Sequence, residues 1–164
     1  MLKTYIFDID NTLCDTWPTL STVNGSWLYR FFTEAWRISF IPCFDNMMTY
    51  ARVRNRRISS EVYFLSARHW SLWPMTYIYL IRHVGYFSPS RLALVPSASR
   101  KIQNFERFMR LKEGSLVVID DLSFNTENGK TLYYLDVIQY LNTKTDRIRY
   151  IGKEKIDQIN TSCA

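Results

Sequence analysis

Asp8 and Asp10 stand one residue apart at the end of the apolar run Tyr5-Ile6-Phe7. If a strand period of two persists through them, both carboxylates share a side, and such a pair repels unless it shares a proton or a cation. An N-cap or Asx turn is the other reading of an isolated Asp-x-Asp. Asp120 and Asp121 follow Leu116-Val117-Val118-Ile119 in the same manner, with Asn125 shortly after. Hard oxygen ligands grouped this way suit Mg²⁺, which takes a few carboxylates plus waters and phosphate. Ser66 ends the run Val62-Tyr63-Phe64-Leu65 and precedes Ala67 and Arg68. Its hydroxyl can donate to a phosphoryl oxygen and Arg68 can add a fork of donors, although a serine here also serves as a helix cap. Lys101, after Ser99-Arg100, opens a helical pattern. A cation there opposes the helix dipole unless an anion lies between it and the helix end. A solvated surface lysine is the alternative. Two acids, a hydroxyl, a lysine and two more acids thus follow successive apolar runs, in an order that makes one site.

The elements that must position these groups alternate in type. Leu2–Ile9, Val62–Leu65, Leu92–Val95, Leu116–Ile119 and Ile148–Ile151 read as strands, three of them short apolar runs of the kind covered on both faces. Between them, Phe44, Met47, Met48, Ala51 and Ile58 mark a helix near 44–57. Tyr77, Leu80, Ile81 and Val84 mark a second, with Pro74 in its first turn and Gly85 as terminator. Ile102, Phe105, Phe108 and Met109 line a third, for which Ser97 or Ser99 is the expected cap. The tail over Ile148–Ile159 is expected to add an edge strand and a short helix. Strands alternating with helices predict an α/β domain of Rossmann-like form, a parallel sheet of about five strands flanked by helices on both faces. Such sheets bind ligands at the carboxyl ends of their strands.

Size and composition agree. The 164 residues suffice for one domain with a real core, and 47% hydrophobic with 22% charged residues excludes a disordered or fibrous chain. The net charge of +6 permits a phosphate-rich partner without requiring one. Cys14, Cys43 and Cys163 are odd in number and widely spaced, which argues against a disulfide framework or a zinc site and makes a reducing compartment the default. No signal peptide is visible at Met1–Ile9, and the run Trp70–Ile81 is too short to span a bilayer. A soluble, cytoplasmic protein without membrane contact is expected.

The four stretches together resemble the haloacid dehalogenase superfamily of aspartate-nucleophile phosphohydrolases. Tyr5-Ile6-Phe7-Asp8-Ile9-Asp10-Asn11-Thr12-Leu13 is similar to its Asp-x-Asp-x-Thr first motif, Phe64-Leu65-Ser66-Ala67-Arg68 to the second, Lys101 to the third, and Val118-Ile119-Asp120-Asp121 with Asn125 to the fourth. The resemblance implies a Mg²⁺-dependent phosphatase. Asp8 would be the nucleophile, forming an aspartyl-phosphate, and Asp10 the general acid and then base. Thr12, Ser66 and Lys101 would hold the phosphoryl group. Asp8, Asp120 and the Asp10 main-chain carbonyl would bind the metal, with Asp121 acting at it through water or by orienting its neighbours. An acid of pKa near ~4 is weak at neutral pH, so Asp10 is expected to be raised by its acidic neighbours.

Between Asp10 and Ser66 the chain has room for a small flap or helix around 14–41, rich in aromatics (Trp17, Trp27, Tyr29, Phe31, Phe32, Trp36), but not for a separate cap domain. A rather open site is expected. Within the superfamily the middle of the chain is most similar to the 3′-phosphatase domains of polynucleotide kinase–phosphatases, through Ser66-Ala67-Arg68, Thr76, the Tyr79–Gly85 helix end, and Lys101 before Phe105. The implied substrate is a nucleotide or a phosphorylated nucleic-acid end. A small sugar phosphate or other metabolite is the second reading, and a non-catalytic nucleic-acid or protein binding module the third. Arg52, Arg54, Arg56 and Arg57 cluster at one helix end and are the candidate nucleic-acid contact; a solvated helix face is the other and more ordinary reading.

Overall fold

The computed structural model describes residues 2–16, 27–124 and 131–162. In chain order these form β1 (Lys3–Phe7), α1 (Trp27–Phe40), α2 (Asp45–Arg56), β2 (Ser60–Ser66), α3 (Trp73–Val84), β3 (Leu92–Leu94), α4 (Lys101–Leu111), β4 (Leu116–Ile119), β5 (Ser123–Phe124), β6 (Leu132–Tyr133), α5 (Leu135–Thr143), β7 (Ile148–Ile151) and α6 (Lys153–Thr161). Five strands make one parallel sheet, as the sequence predicts; their order is β3-β2-β1-β4-β7, and β5 pairs antiparallel with β6 as a separate hairpin.

The apolar runs become strands because both faces of the sheet are covered. Tyr5, Phe7, Val117 and Ile119 point to one side, where Ile38 of α1, Met47 and Ala51 of α2, Leu80 and Val84 of α3 and Ile156 of α6 pack. Ile6, Leu65, Leu116 and Val118 point to the other, against Phe105 of α4 and Val137 and Leu141 of α5. Each fully buried side chain of this size contributes about 1.5–3 kcal/mol. Pro74 lies in the first turn of α3 and Gly85 ends it at φ 96°, its N–H donating to the Ile81 carbonyl at 3.0 Å.

Several boundaries differ from the sequence reading, each for a local reason. β1 stops at Phe7, and the chain turns through Asn11 at φ 56°, a left-handed conformation that Asn tolerates better than most residues. Neither Ser97 nor Ser99 caps α4: a short 3₁₀ turn, Ala98–Arg100, leads into that helix, and the Ser99 hydroxyl donates to Asp136 Oδ2 at 2.7 Å. The hairpin and α5 were not expected, although Val137, Ile138 and Leu141 have helical spacing. Of the 14–41 insertion, α1 is described; Phe31 packs against the core while Phe32 and Trp36 are exposed. Trp17, Asn125 and Cys163 lie outside the described residues.

β1 is flanked by β2 on one edge and β4 on the other, so the strand order reverses there. Ligands collect at such a switch point, beyond the carboxyl ends of the strands. Phe7 is paired with Ile119, which brings the next residues, Asp8 and Asp120, side by side.

Candidate active site

Asp8 follows β1, Asp120 and Asp121 follow β4, and Lys101 is the first residue of α4. The Lys101 ammonium donates to Asp8 Oδ1 at 2.8 Å and to Asp120 Oδ2 at 2.7 Å, and all three side chains are buried. Lys101 is therefore no solvated surface residue. Burial lowers its proton affinity, but Asp120 and Asp8 outweigh that and hold it charged. The Leu122 N–H donates to Asp120 Oδ1 at 3.0 Å and the Tyr150 hydroxyl to the Asp120 carbonyl at 3.0 Å, which fixes the acid from behind. Leu122 adopts φ 48°, a strained conformation for a branched residue, beside the acidic pair.

Carboxylate oxygens of Asp8, Asp120 and Asp121 lie within 4.8 Å of one another. Three buried carboxylates face one ammonium, so the group is short of positive charge when all are ionised. Burial and then Asp120 push Asp8 well above the ordinary carboxylate range, against the pull of Lys101. The same two causes push Asp121 up to about 7, although the Ser123 hydroxyl, hydrogen-bonded to Asp121 Oδ2, favours its charged form. A hard divalent cation fits this donor set: all-oxygen ligands, anionic and crowded.

Asp10 is turned elsewhere. Its carboxylate accepts from Arg68 Nε at 2.8 Å, Arg68 Nη2 at 2.6 Å and the Ser66 hydroxyl at 2.9 Å. Arg68 Nη1 continues to the Thr76 hydroxyl at 3.2 Å. Because β1 ends before Asp8, the period of two does not carry through, and the Asp10 side chain is outside the Asp8, Asp120, Asp121 group. The upward shift expected for Asp10 is corrected by this contact. Burial does oppose its charge, but the Arg68 guanidinium and the Ser66 hydroxyl outweigh it and hold its carboxyl below the usual range. Thr12, fully buried, joins the two acidic loops: the Asp121 N–H donates to its oxygen at 3.1 Å, and its hydroxyl donates to Asp121 Oδ1 at 3.4 Å. Ser66 and Thr12 thus spend their hydroxyls inside the scaffold, and neither lines the cavity above the acids.

That cavity, about 450 Å³, is floored by Asp8, Asp10, Lys101, Asp120 and Asp121. Its walls include residues to which no motif pointed: Glu34 and Arg37 of α1, Leu72, and Phe124 with Tyr134 of the hairpin region. Arg37 Nη2 pairs with Glu34 at 2.7 Å. The Phe124 and Tyr134 rings lie 4.5 Å apart. Apart from Leu72, these wall residues come from α1 and from the hairpin region. Among the described residues, none of the aromatics that the sequence places in the 14–41 insertion lines this cavity.

The arginine cluster lies at the far end of the sheet, where α2 ends and β2 begins. Arg52 Nε donates to the His83 carbonyl at 2.8 Å, and the Arg54 guanidinium sits over the Tyr5 and Tyr50 rings at 5.1 and 4.7 Å. Two of the four arginines are thereby engaged in packing, and the group is remote from the strand ends that carry the acids. A nucleic-acid contact there has no support in the structure.

No protein-family model matches the chain, and no curated protein matches it. Two solved structures align over 99% of this chain and 79% of their own: the class C acid phosphatase from Bacillus anthracis with tungstate bound, at 13% identity, and the same organism's class C acid phosphatase at 12%. Both have a TM-score of 0.49. No helix among the described residues is long and apolar enough to cross a membrane.

Proposed function

We propose that this chain is a metal-dependent phosphomonoester hydrolase of the haloacid dehalogenase type. The observation that carries the reading is the placement of Asp8 at the floor of the cavity, beside Lys101 and Asp120 and one residue from an acid held by separate partners. Asp8, Asp120 and Asp121, with the Asp10 main-chain carbonyl, would hold a divalent ion such as Mg²⁺, whose charge offsets the repulsion between Asp8 and an anionic phosphate.

Asp8 attacks phosphorus and the bond to the leaving oxygen breaks, that oxygen departing with a proton from Asp10. Water then attacks the same phosphorus, giving its proton to Asp10, and phosphate leaves Asp8 as a free carboxylate. Splitting hydrolysis at a covalent aspartyl-phosphate replaces one hard step with two easier ones. Lys101 neutralises the phosphoryl oxygens. Arg68 and Ser66 fix the Asp10 carboxylate between the two proton transfers. Asp10 is anionic in the free chain, ready as the base; an arriving phosphate dianion raises its proton affinity and equips it as the acid.

The proposed substrate is a nucleotide or a phosphorylated nucleic-acid end, favoured over a small sugar phosphate by the aromatic pair in the wall. Phosphate release from an aryl phosphate with Mg²⁺ tests the reaction. Activity is expected in the wild type and a loss of at least about a thousandfold in Asp8→Asn. Equal release by the two proteins would remove Asp8 as nucleophile.

A further inference from the structure

Cys14 and Cys43 face each other across an isolated antiparallel bridge. The Asp15 N–H donates to the Pro42 carbonyl at 2.9 Å and the Phe44 N–H to the Leu13 carbonyl at 2.9 Å. Those bonds flank the cysteines rather than joining them, so Cys14 and Cys43 form the narrow, non-hydrogen-bonded kind of pair. In such pairs the Cα atoms approach to about 4.5 Å with both side chains on one face. A disulfide accepts Cα separations of about 4.4–6.8 Å. Both thiols are free, the Cys14 thiol facing the Ile9 carbonyl at 3.4 Å and the Cys43 thiol facing Asp45 Oδ1 at 3.4 Å. A pairing of this kind allows a disulfide to close by side-chain rotation.

We propose that Cys14 and Cys43 are an oxidation site, closing to a disulfide under peroxide. Cys43 is half-buried and Cys14 fully buried, which sets the order of events. The Cys43 thiol gives up its proton and its sulfur attacks one peroxide oxygen; the O–O bond breaks, and the departing hydroxide takes that proton as water, leaving sulfenic acid on Cys43. Cys14 then attacks the Cys43 sulfur, the S–O bond breaks, and the departing hydroxide takes the Cys14 proton as a second water. Two thiols lose two electrons to one hydrogen peroxide.

The bond has a structural consequence. Cys14 anchors the loop that carries Asp10, its N–H donating to the Ile9 carbonyl at 3.0 Å and its carbonyl accepting from the Asn11 N–H at 2.8 Å. Cys43 lies between α1 and α2. A disulfide therefore ties the chemical loop to the end of α1, the helix that supplies Glu34 and Arg37 to the cavity wall. Closing so long a loop restricts the unfolded chain and stabilises the folded one.

The experiment uses the full chain carrying Cys163→Ser, treated with hydrogen peroxide, unfolded, alkylated and weighed intact. The expected result is loss of the mass of two hydrogens with no alkylation, a peptide pair joining residues 14 and 43 after digestion, and reversal by dithiothreitol. The melting temperature of the oxidised form is expected to rise by roughly 5–10 °C. Neither Cys14→Ser nor Cys43→Ser should show the rise. Two alkylatable thiols after peroxide, a Cys43 that proceeds to sulfinic acid, or a disulfide between molecules would each overturn the proposal. Because the bridge is mapped in the parent chain, a serine variant that fails to fold does not rescue it.

Discussion

Arg68 grips Asp10 along both edges of its carboxylate, Nε to Oδ2 at 2.8 Å and Nη2 to Oδ1 at 2.6 Å. This is the fork geometry that distinguishes arginine from lysine. It separates the two acids of the first motif electrically: Asp8 is raised by burial and Asp120, while Asp10 is lowered by Arg68 despite its burial. Neighbouring acids with proton affinities pushed in opposite directions are suited to different tasks in one reaction.

Arg68→Lys keeps a positive charge but loses the fork. The Asp10 carboxyl then rises toward the ordinary range, and the alkaline limb of the kcat/KM profile, set by the protonated Asp10 that the first step needs, moves to higher pH. We expect kcat/KM to fall by roughly 10–100-fold, within the range that proton-transfer groups contribute. A profile unchanged in position and height would show that Arg68 serves the fold and not Asp10.

Asp121 and Asp8 make the metal-free protein sensitive to pH with a definite sign. Asp121 titrates near 7 in the folded chain and near 3.8 when unfolded. Between those values the folded state binds more protons, so stability falls as pH rises through the window. Asp8, also raised, acts in the same direction. Asp10, lowered, adds stability above its unfolded pKa that is lost only under stronger acid. Thermal melts in chelator should therefore give a higher midpoint at pH ~6 than at pH ~8, and Mg²⁺ should raise the midpoint more at the higher pH. A metal-free midpoint that increases with pH across this window would contradict the crowding of these acids.

Much of this was legible beforehand. Asp8, Asp10, Ser66, Lys101 and Asp120 each follow an apolar run or open a helix, and the parallel sheet turns sequence order into spatial adjacency. The side-chain partners were not legible. Asp10 was paired with Asp8 on the assumption of a continuing strand, and only the turn through Asn11 hands it to Arg68 instead. Arg52 and Arg54 looked like a basic surface because sequence shows charge but not stacking, and Arg54 lies over Tyr5 and Tyr50. Phe124, Tyr134, Glu34 and Arg37 carry no sequence signal because the cavity wall is assembled from a hairpin region and a helix that no short motif marks.

Lys101 is the cation on which the buried acids depend in the metal-free chain. Lys101→Met keeps most of the side-chain volume and removes the charge, leaving Asp8 and Asp120 facing each other. Removing one partner of a buried pair costs about 3–5 kcal/mol, here a fall of roughly 10 °C in melting temperature. The added change Asp120→Asn should return part of that loss, since it relieves the uncompensated charge. If the double variant is no more stable than Lys101→Met, the cost lies in packing and not in charge.

Phe124 and Tyr134 decide how the leaving group is held if the wall works as proposed. Their rings, 4.5 Å apart, line the cavity above Asp8, and a planar base can lie against them. Aromatic contacts of this kind are worth ~1–3 kcal/mol per base, which is about 5–150-fold in kcat/KM. The clean comparison is a nucleoside monophosphate against the matching pentose phosphate, because the bond broken is the same and only the base differs. The wild type should prefer the nucleotide, and Tyr134→Leu should shrink that preference several-fold while leaving pentose phosphate hydrolysis within about twofold. Equal losses on both substrates would make Tyr134 a support for the acidic loop beside it, and a wild type indifferent to the base would assign the wall to a different leaving group.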